Sequence, residues 1–134
     1  MKAVETAIYN RLSTYTALTT ALGDKYIYNH RADKGQARPY VIYFHAGGGP
    51  ENTHPGGLES DSYLVKGVAD SLSAAAELDE HIKAALHHQE ASLTVTGYTT
   101  LWVARENEVQ VVEEPKNGDP IFHYGAYYRI RIDK

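Results

Sequence analysis

Apolar residues recur with a helical period in the first part of the chain, about residues 2 to 22. Steps of three and four residues place them on one stripe, which predicts an amphipathic helix. The positions on that stripe are Val4, Ile8, Leu12, Tyr15, Leu18 and Leu22. Ser13 and Thr14 can divide this helix. Gly23 predicts its end, because glycine readily adopts the left-handed conformation found at helix C-termini.

A second helix is predicted over about residues 71 to 88. Asp70 or Ser71 is available as its N-cap, since a short polar side chain can accept a hydrogen bond from the first turn. One side of this helix is apolar and carries Leu72, Ala75, Leu78, Ile82, Ala85 and Leu86. We expect that side to pack on a sheet.

The remaining apolar residues follow the pattern of strands. The segments rich in β-branched and aromatic residues are 26–28, 40–45, 62–69, 93–95, 99–105, 109–114 and 121–132. In the last segment apolar and polar residues alternate, so one face is inside and the other outside. The order of the elements predicts an α+β fold: an antiparallel, possibly mixed, sheet with two main helices packed on one face.

Residues 46–59 contain five glycines and two prolines and have no periodic apolar face. This composition predicts a long loop. The glycines at 47–49 lack the Gly-Lys-Ser or Gly-Lys-Thr ending of a phosphate-binding loop and do not lead into a helix. A flexible surface loop is therefore favoured over a nucleotide site.

The last two strands are joined by a loop centred on the turn-forming pair at 117–118, Asn-Gly. If Glu114 pairs with Ile121, an unbroken partner strand places Glu106 opposite Arg129. Such a cross-strand ion pair contributes only about 0.2 to 1 kcal/mol, so it would fix register more than stability.

Length and composition bound the class of protein. A chain of 134 residues can form a single domain, 1–134, with a core that needs no disulfide or structural metal, and it has no cysteine. Its formal charge of −4 argues against sequence-independent nucleic-acid binding, which depends on clustered Lys and Arg. No apolar run is long enough for a membrane span, and residues 1–22 do not resemble a signal peptide. We therefore expect synthesis in the cytoplasm.

Three residues could in principle bind a metal. Glu77, His81 and His88 lie on one predicted helical stripe, and a carboxylate with two imidazoles can hold zinc. The alternative is a solvated helix face with one Glu to His contact. His87 and His88 are expected to point in different directions and not to act as a pair. The sequence has no nucleophile elbow and no dinucleotide fingerprint, so no catalytic residue or cofactor is predicted, although a dispersed site would escape such motifs.

Tyrosine is abundant, with 11 residues against two Phe and one Trp. A Tyr ring can fill a core while its hydroxyl reaches water or a partner, and Tyr is enriched in interface cores. The alternative is that Tyr replaces Phe along half-buried strands.

An ordered set of short segments covers nearly the whole chain, although none is specific alone. They are Leu22-Gly23-Asp24, Tyr26-Ile27-Tyr28, Pro39-Tyr40-Val41-Ile42, Tyr63-Leu64-Val65-Lys66, the helix with Ala75, Ala76, Ile82 and Ala85-Leu86, Leu93-Thr94-Val95-x-Gly97, Arg105-Glu106, Glu113-Glu114 and His123-x-Gly125-x-x-Tyr128-Arg129-Ile130-Arg131. Together they resemble the tail-terminator family, the tail-completion or tail-to-head joining proteins of long-tailed phages and prophages.

The resemblance implies an α+β virion protein without catalysis. Members of the family form a six-membered ring on the head-proximal end of the tail tube, stop tube polymerisation and present a surface to the head connector. It follows that the partners are other copies of the chain, the tail tube protein and a head-completion or connector protein, while DNA passes through without specific binding. A head-completion adaptor on a similar fold is the alternative, and a small metal-dependent enzyme is a third.

Two surfaces are candidates for assembly. The first is the loop, which could order on contact with the tube or a neighbour and contains Gly48, Gly49, Pro50, Glu51, Asn52 and His54. The second is an acidic surface facing the lumen, where carboxylates would repel DNA phosphates, formed by Glu106, Glu108, Glu113, Glu114 and Asp119. Alternatively these acidic residues protect a solvated hairpin edge from aggregation.

Overall fold

The structure is a computed structural model that describes residues 1–51 and 57–134. Its helices are α1 (Lys2–Ser13), α2 (Thr16–Leu22) and α3 (Leu72–Leu86), with a 3-10 turn at Glu90–Ser92. Its strands are β1 (Ile27–Asn29), β2 (Tyr40–Pro50), β3 (Glu59–Ala69), β4 (Thr99–Glu113) and β5 (Ile121–Asp133). No helix in the described part of the chain is both long and apolar enough to cross a bilayer.

The strands form one five-stranded sheet in the order β1-β2-β3-β5-β4. β1 is parallel to β2, and all other neighbours are antiparallel. The predicted α+β fold is therefore confirmed, and the sheet, predicted as antiparallel and possibly mixed, is mixed. β1 and β4 lie at the two edges, and they run in opposite directions along the sheet.

The core lies between the helices and one face of the sheet. Register places Tyr43, Val65 and Ala126 in one row on that face, and all three are buried. α3 supplies Leu78 and Ile82, which are 2% and 0% exposed. The close approach of α3 to β3 depends on Gly67, because a Cβ there would lie 2.5 Å from the Leu78 Cβ.

The predicted helix boundaries are largely confirmed. The first helix is divided at Thr14, whose hydroxyl donates to the Asn10 carbonyl oxygen at 2.7 Å, so α1 and α2 are separate. Gly23 follows α2 in the left-handed conformation. Ser71 is the N-cap of α3, with its Oγ accepting from the Ala74 N–H at 3.1 Å.

The loop predicted over residues 46–59 is wrong at both of its ends, while residues 52–56 lie outside the described residues. β2 continues to Pro50 and β3 begins at Glu59, so the three consecutive glycines are part of a strand pair. A register shift between His45 and Gly47 marks an irregularity in β2. Gly48 has φ +93°, and a Cβ there would lie 2.2 Å from the Ser60 carbonyl oxygen, so glycine is required for this close pairing.

Two further strand predictions are wrong. Residues 93–95 are not a strand, because the chain leaves α3 through the 3-10 turn at Glu90–Ser92. The two segments predicted at 99–105 and 109–114 form one continuous strand, β4. Its register against β5 shifts at Thr100/Trp102 and at Arg105/Glu108. Glu113, not Glu114, therefore pairs with Ile121, and Ala104 rather than Glu106 is opposite Arg129.

Candidate functional site

The three metal candidates do not come together. α3 ends at Leu86, and His88 has φ 56°, so His88 has left the helical stripe on which the sequence placed it. The Glu77 Oε1 lies 3.8 Å from the His81 Nε2, whereas His88 Nδ1 lies 3.8 Å from the Glu90 Oε1. Within residues 1–51 and 57–134, no group of three or more His, Cys, Asp or Glu could hold a metal ion. Glu77 and His81 instead fit the alternative, a solvated helix face with one Glu to His contact.

His87 and His88 form a pair, contrary to the sequence prediction. Their ring centroids are 3.9 Å apart, because the chain turns sharply after α3. His87 Nδ1 accepts from the Arg105 N–H at 2.9 Å, and the His88 N–H donates to the Val103 carbonyl oxygen at 2.8 Å. Burial and the neighbouring His88 lower the pKa of His87. The two histidines therefore cover the outer edge of β4 between Val103 and Arg105.

Beyond Arg105 the outer edge of β4 is open. In the part of the chain that the structure describes, the backbone of residues 106–113 forms hydrogen bonds only with β5. Val111 and Val112 on this stretch are 49% and 53% exposed, and Trp102 near the start of β4 is 45% exposed. An edge strand with unpaired backbone N–H and C=O groups is a surface on which another chain can add.

The acidic candidates do cluster on the β4–β5 hairpin, yet three of the five have partners within the chain. Glu106 lies 3.4 Å from the Arg129 Nε, so the predicted pair forms despite the different register. The Glu108 Oε1 lies 3.2 Å from the Arg105 Nη2 and accepts from the Tyr124 hydroxyl at 2.6 Å. The Glu113 Oε1 lies 2.7 Å from the His123 Nε2. Glu114 and Asp119 are exposed and have no ion-pair partner among the described residues.

A buried ion pair that the sequence analysis missed supports this hairpin. Arg105 contacts both carboxylate oxygens of Asp79 on α3, and Asp79 is 2% exposed. The Arg105 Nη1 also donates to the Tyr128 hydroxyl at 3.1 Å. Burial opposes the charge of Arg105, but the hydrogen bonds with Asp79 and Tyr128 raise its pKa overall. Burial raises the pKa of Tyr128 to about 12. The group holds β4 against α3 where the register shifts.

The strand pair β2–β3, whose glycines are Gly47 to Gly49, also has internal contacts. Glu51 Oε2 lies 3.1 Å from the Arg131 Nη2, which ties the end of β2 to β5. Asp61 is buried and lies 3.1 Å from the His45 Nε2. Burial, and then the charge of Asp61, raise the pKa of Glu59. Asn52 and His54, which belong to the predicted contact loop, lie outside the described residues.

The site is therefore an open sheet edge that carries carboxylates and two exposed valines, a surface on which another chain can add. The family model described as tail completion protein gp17 matches residues 6–124. The chain therefore belongs to the tail completion protein gp17 family and is a phage-type tail structural protein. Membership points to a structural role, not an enzymatic one.

The fold also matches a solved chain from the virion of a native gene transfer agent particle. The two have a TM-score of 0.77 and 12% sequence identity, and the match covers 98% of this chain and 95% of the other. At this identity the likeness establishes the fold alone. No curated protein matches the sequence.

Proposed function

We propose that this protein caps the head-proximal end of a phage tail tube as a six-membered ring, ends tube polymerisation and joins the tail to the head. The observation that carries the proposal is the family match over residues 6–124. The open edge of β4 supports it, because its unpaired backbone and the exposed Val111 and Val112 offer a neighbouring chain a surface to bind. The ring is assembled in the host cytoplasm and carried in the virion tail.

In such a ring the partners are neighbouring copies, the tube protein and a head-completion or connector protein, while DNA passes through unbound. Of the five acidic candidates, Glu114 and Asp119 are the best for a lumen surface, since the other three are held by internal partners. Carboxylates facing the channel would repel phosphate. The candidates for contact with another tail component lie at the C-terminal end of β2: Gly48, Gly49, Pro50 and Glu51.

Electron microscopy of polymerising tail tubes tests this function. Purified protein added to the cognate tube protein should limit tube length, and the capped end should show a ring of six subunits. Glu77→Ala with His81→Ala is the matched control, because both residues lie on the solvated face of α3 and the variant should act like wild type.

Tubes that grow as long with the protein as without it would contradict the proposal. If the protein instead binds the head connector and leaves tube length unchanged, the head-completion alternative is correct.

A further inference from the structure

The segment that follows α3, residues 87–90, lies along the outer edge of β4, and we call it the strap. Its His88 N–H donates to the Val103 carbonyl oxygen at 2.8 Å, and its Glu90 Oε1 accepts from the Val103 N–H at 3.2 Å. Both backbone groups of Val103 are therefore bonded to the strap, as they would be to a neighbouring strand.

His87 provides a third bond from the strap, because its Nδ1 accepts from the Arg105 N–H at 2.9 Å. Val103 and Arg105 are alternate residues of β4, and alternate residues of an edge strand direct their backbone groups to the same side. A strand that added to β4 at this point would need the groups that the strap already occupies. The strap therefore acts as an internal cover for this part of the edge.

The same side of β4 is open beyond the register shift. Arg105 and Glu108 pair with residues that are two apart on β5, so their backbone groups face the same way. The outward groups after the shift therefore belong to Glu108, Gln110 and Val112. Without the strap, the row of outward backbone groups open to another chain would begin at Val103 instead of Glu108.

The strap keeps a conformation that depends on its contacts. His88 has φ 56°, a left-handed conformation that costs free energy for a residue other than glycine and persists only where surrounding contacts impose it. The centroid of the His88 ring lies 3.9 Å from that of His87 and 5.2 Å from that of Trp102. Loss of the His87 contact would therefore weaken the support for His88 as well.

His87 is surrounded by charges of both signs. Among the described residues, the titratable and charged groups that face it are Lys83 and Glu80 on α3, His88 and Glu90 in the strap, and Arg105 on β4. Burial is the largest cause that lowers the pKa of His87, and the cations in this set act in the same direction, whereas Glu90 opposes them. A protonated Nδ1 is a donor and would face the Arg105 N–H, which is also a donor. Protonation of His87 therefore replaces a hydrogen bond by a repulsive contact.

We propose that the strap is a cover for the outer edge of β4 that is closed at neutral pH and opens on acidification, with protonation of His87 as the trigger. When the strap opens, the bonds of His88 and Glu90 to Val103 are lost together with the bond of His87 to Arg105. The edge available to another chain then begins at Val103. The inference goes beyond the proposed ring, because the opening is a property of the free chain.

Amide hydrogen exchange, measured by NMR between pH 7.5 and 4.5, tests the opening. The protection factors of Val103 and Arg105 should fall together by about tenfold or more, whereas Ala104, whose backbone faces β5, should stay protected. Loss of protection at Arg105 alone would show a broken bond without an opened strap. Loss at Ala104 to the same extent would show unfolding of the sheet. Either result, or unchanged protection at Val103 and Arg105, would overturn the proposal.

Substitutions at His87 identify the trigger. His87→Asn keeps an acceptor at the position of Nδ1 but does not titrate, so its strap should stay closed over the whole pH range. His87→Ala has no acceptor and should be open already at pH 7.5. Acid opening in His87→Asn, or a closed strap in His87→Ala at pH 7.5, would contradict the role of His87.

Two further variants serve as controls. Glu90→Gln can still accept from the Val103 N–H without titrating, so it should open on acidification as wild type does. His81→Asn is the same substitution on the solvated face of α3 and should also behave like wild type. Loss of acid opening in Glu90→Gln or in His81→Asn would assign the trigger to a residue other than His87.

Tryptophan fluorescence gives a second measurement, because Trp102 is the only tryptophan in the chain. Its ring meets the His88 ring edge to face and is 45% exposed. As the pH falls, opening should move the emission maximum to longer wavelength in wild type and His81→Asn but not in His87→Asn. Wavelength is compared rather than intensity, because protonation of His88 alone can change the intensity. A maximum that does not move in wild type, or that moves equally in His87→Asn, would overturn the proposal.

Discussion

Arg105 on β4 holds Asp79 on α3 through both of its terminal nitrogens, at 2.8 Å from Oδ1 and 2.7 Å from Oδ2. The side chains are 11% and 3% exposed, so the pair is shielded from water. It lies beside the register shift between Arg105 and Glu108, beyond which the outer edge of β4 is open. The pair therefore fixes the base of the surface that we assign to assembly.

Replacement of Asp79 by alanine should destabilise the protein by about 3–5 kcal/mol, because it removes the buried, bidentate counter-charge of the guanidinium and leaves it only the half-exposed Glu108. Chemical denaturation in urea measures this loss directly. Glu77→Ala on the same helix is the control, since Glu77 is 70% exposed and its contact with His81 is a surface pair worth at most about 1 kcal/mol. A loss below about 1 kcal/mol for Asp79→Ala would mean that the pair does not hold α3 to β4.

The His87 contact predicts a dependence of stability on pH. The folded-state pKa of His87 is lowered, so between that pKa and about 6.5 the unfolded chain binds more protons than the folded one. Stability should therefore be complete above pH 7 and fall as the pH drops below about 6.5, because a protonated Nδ1 cannot accept from the Arg105 N–H.

Unfolding in urea at pH 7.5 and 5.5 tests this dependence, with His87→Asn as the informative variant. The Asn Oδ1 takes the position of Nδ1 and can still accept from the Arg105 N–H but does not titrate, so the variant should lose less stability on acidification than wild type. His81→Gln is the control, because protonated His81 would gain attraction to Glu77 at low pH rather than lose a contact. An unchanged pH response in His87→Asn would remove His87 as the cause.

Zinc binding should be absent at α3. Glu77 and His81 offer two ligands at most, and His88 lies beyond the end of the helix. Metal analysis of protein purified without chelator should find no stoichiometric zinc, and Glu77→Ala with His81→Ala should keep the wild-type melting temperature within about 2 °C. One bound zinc per chain, lost in that variant, would reopen the enzyme alternative.

The helices and the fold class could be predicted from the sequence because they depend on local patterns. Apolar residues at helical spacing fix α1 to α3, Ser71 caps α3, and Gly23 ends α2. The sequence also contains an indication that Asp79 is buried and paired. Asp79 shares the apolar stripe with Ala75 and Ile82, and a charge in such a position calls for a partner inside.

The limits of β5 were predicted to within one residue, but the full length of β2 and the register of β4 against β5 could not be predicted, since the residues concerned show no alternation of apolar and polar side chains. Gly47 to Gly49 have no side chains and so show no alternation, although their backbone pairs well with β3. Residues 105–108 are all polar, so the sequence does not show where β4 shifts against β5. The turn after α3 likewise brings His87 against His88 through a backbone conformation, φ 56° at His88, that no helical pattern implies.

Gly125 should be essential for the centre of the sheet. A Cβ at this position would lie 2.3 Å from the Val65 carbonyl oxygen and 2.5 Å from the Lys66 Cα. Both are backbone atoms of β3, so no side-chain rotation can relieve the overlap, and β3 and β5 would have to move apart. We expect Gly125→Ala to destabilise the protein by about 1–3 kcal/mol, the usual range for overpacking.

Gly47→Ala is the matched control for Gly125→Ala. Gly47 lies in β2, its φ is not positive, and a Cβ there has no neighbour within 4 Å, so its substitution should change stability by no more than about 1 kcal/mol. Urea unfolding compares the two variants under one condition. Equal stability of both variants would mean that β3 and β5 can separate at no cost. That result would remove close strand contact as the reason for glycine at position 125.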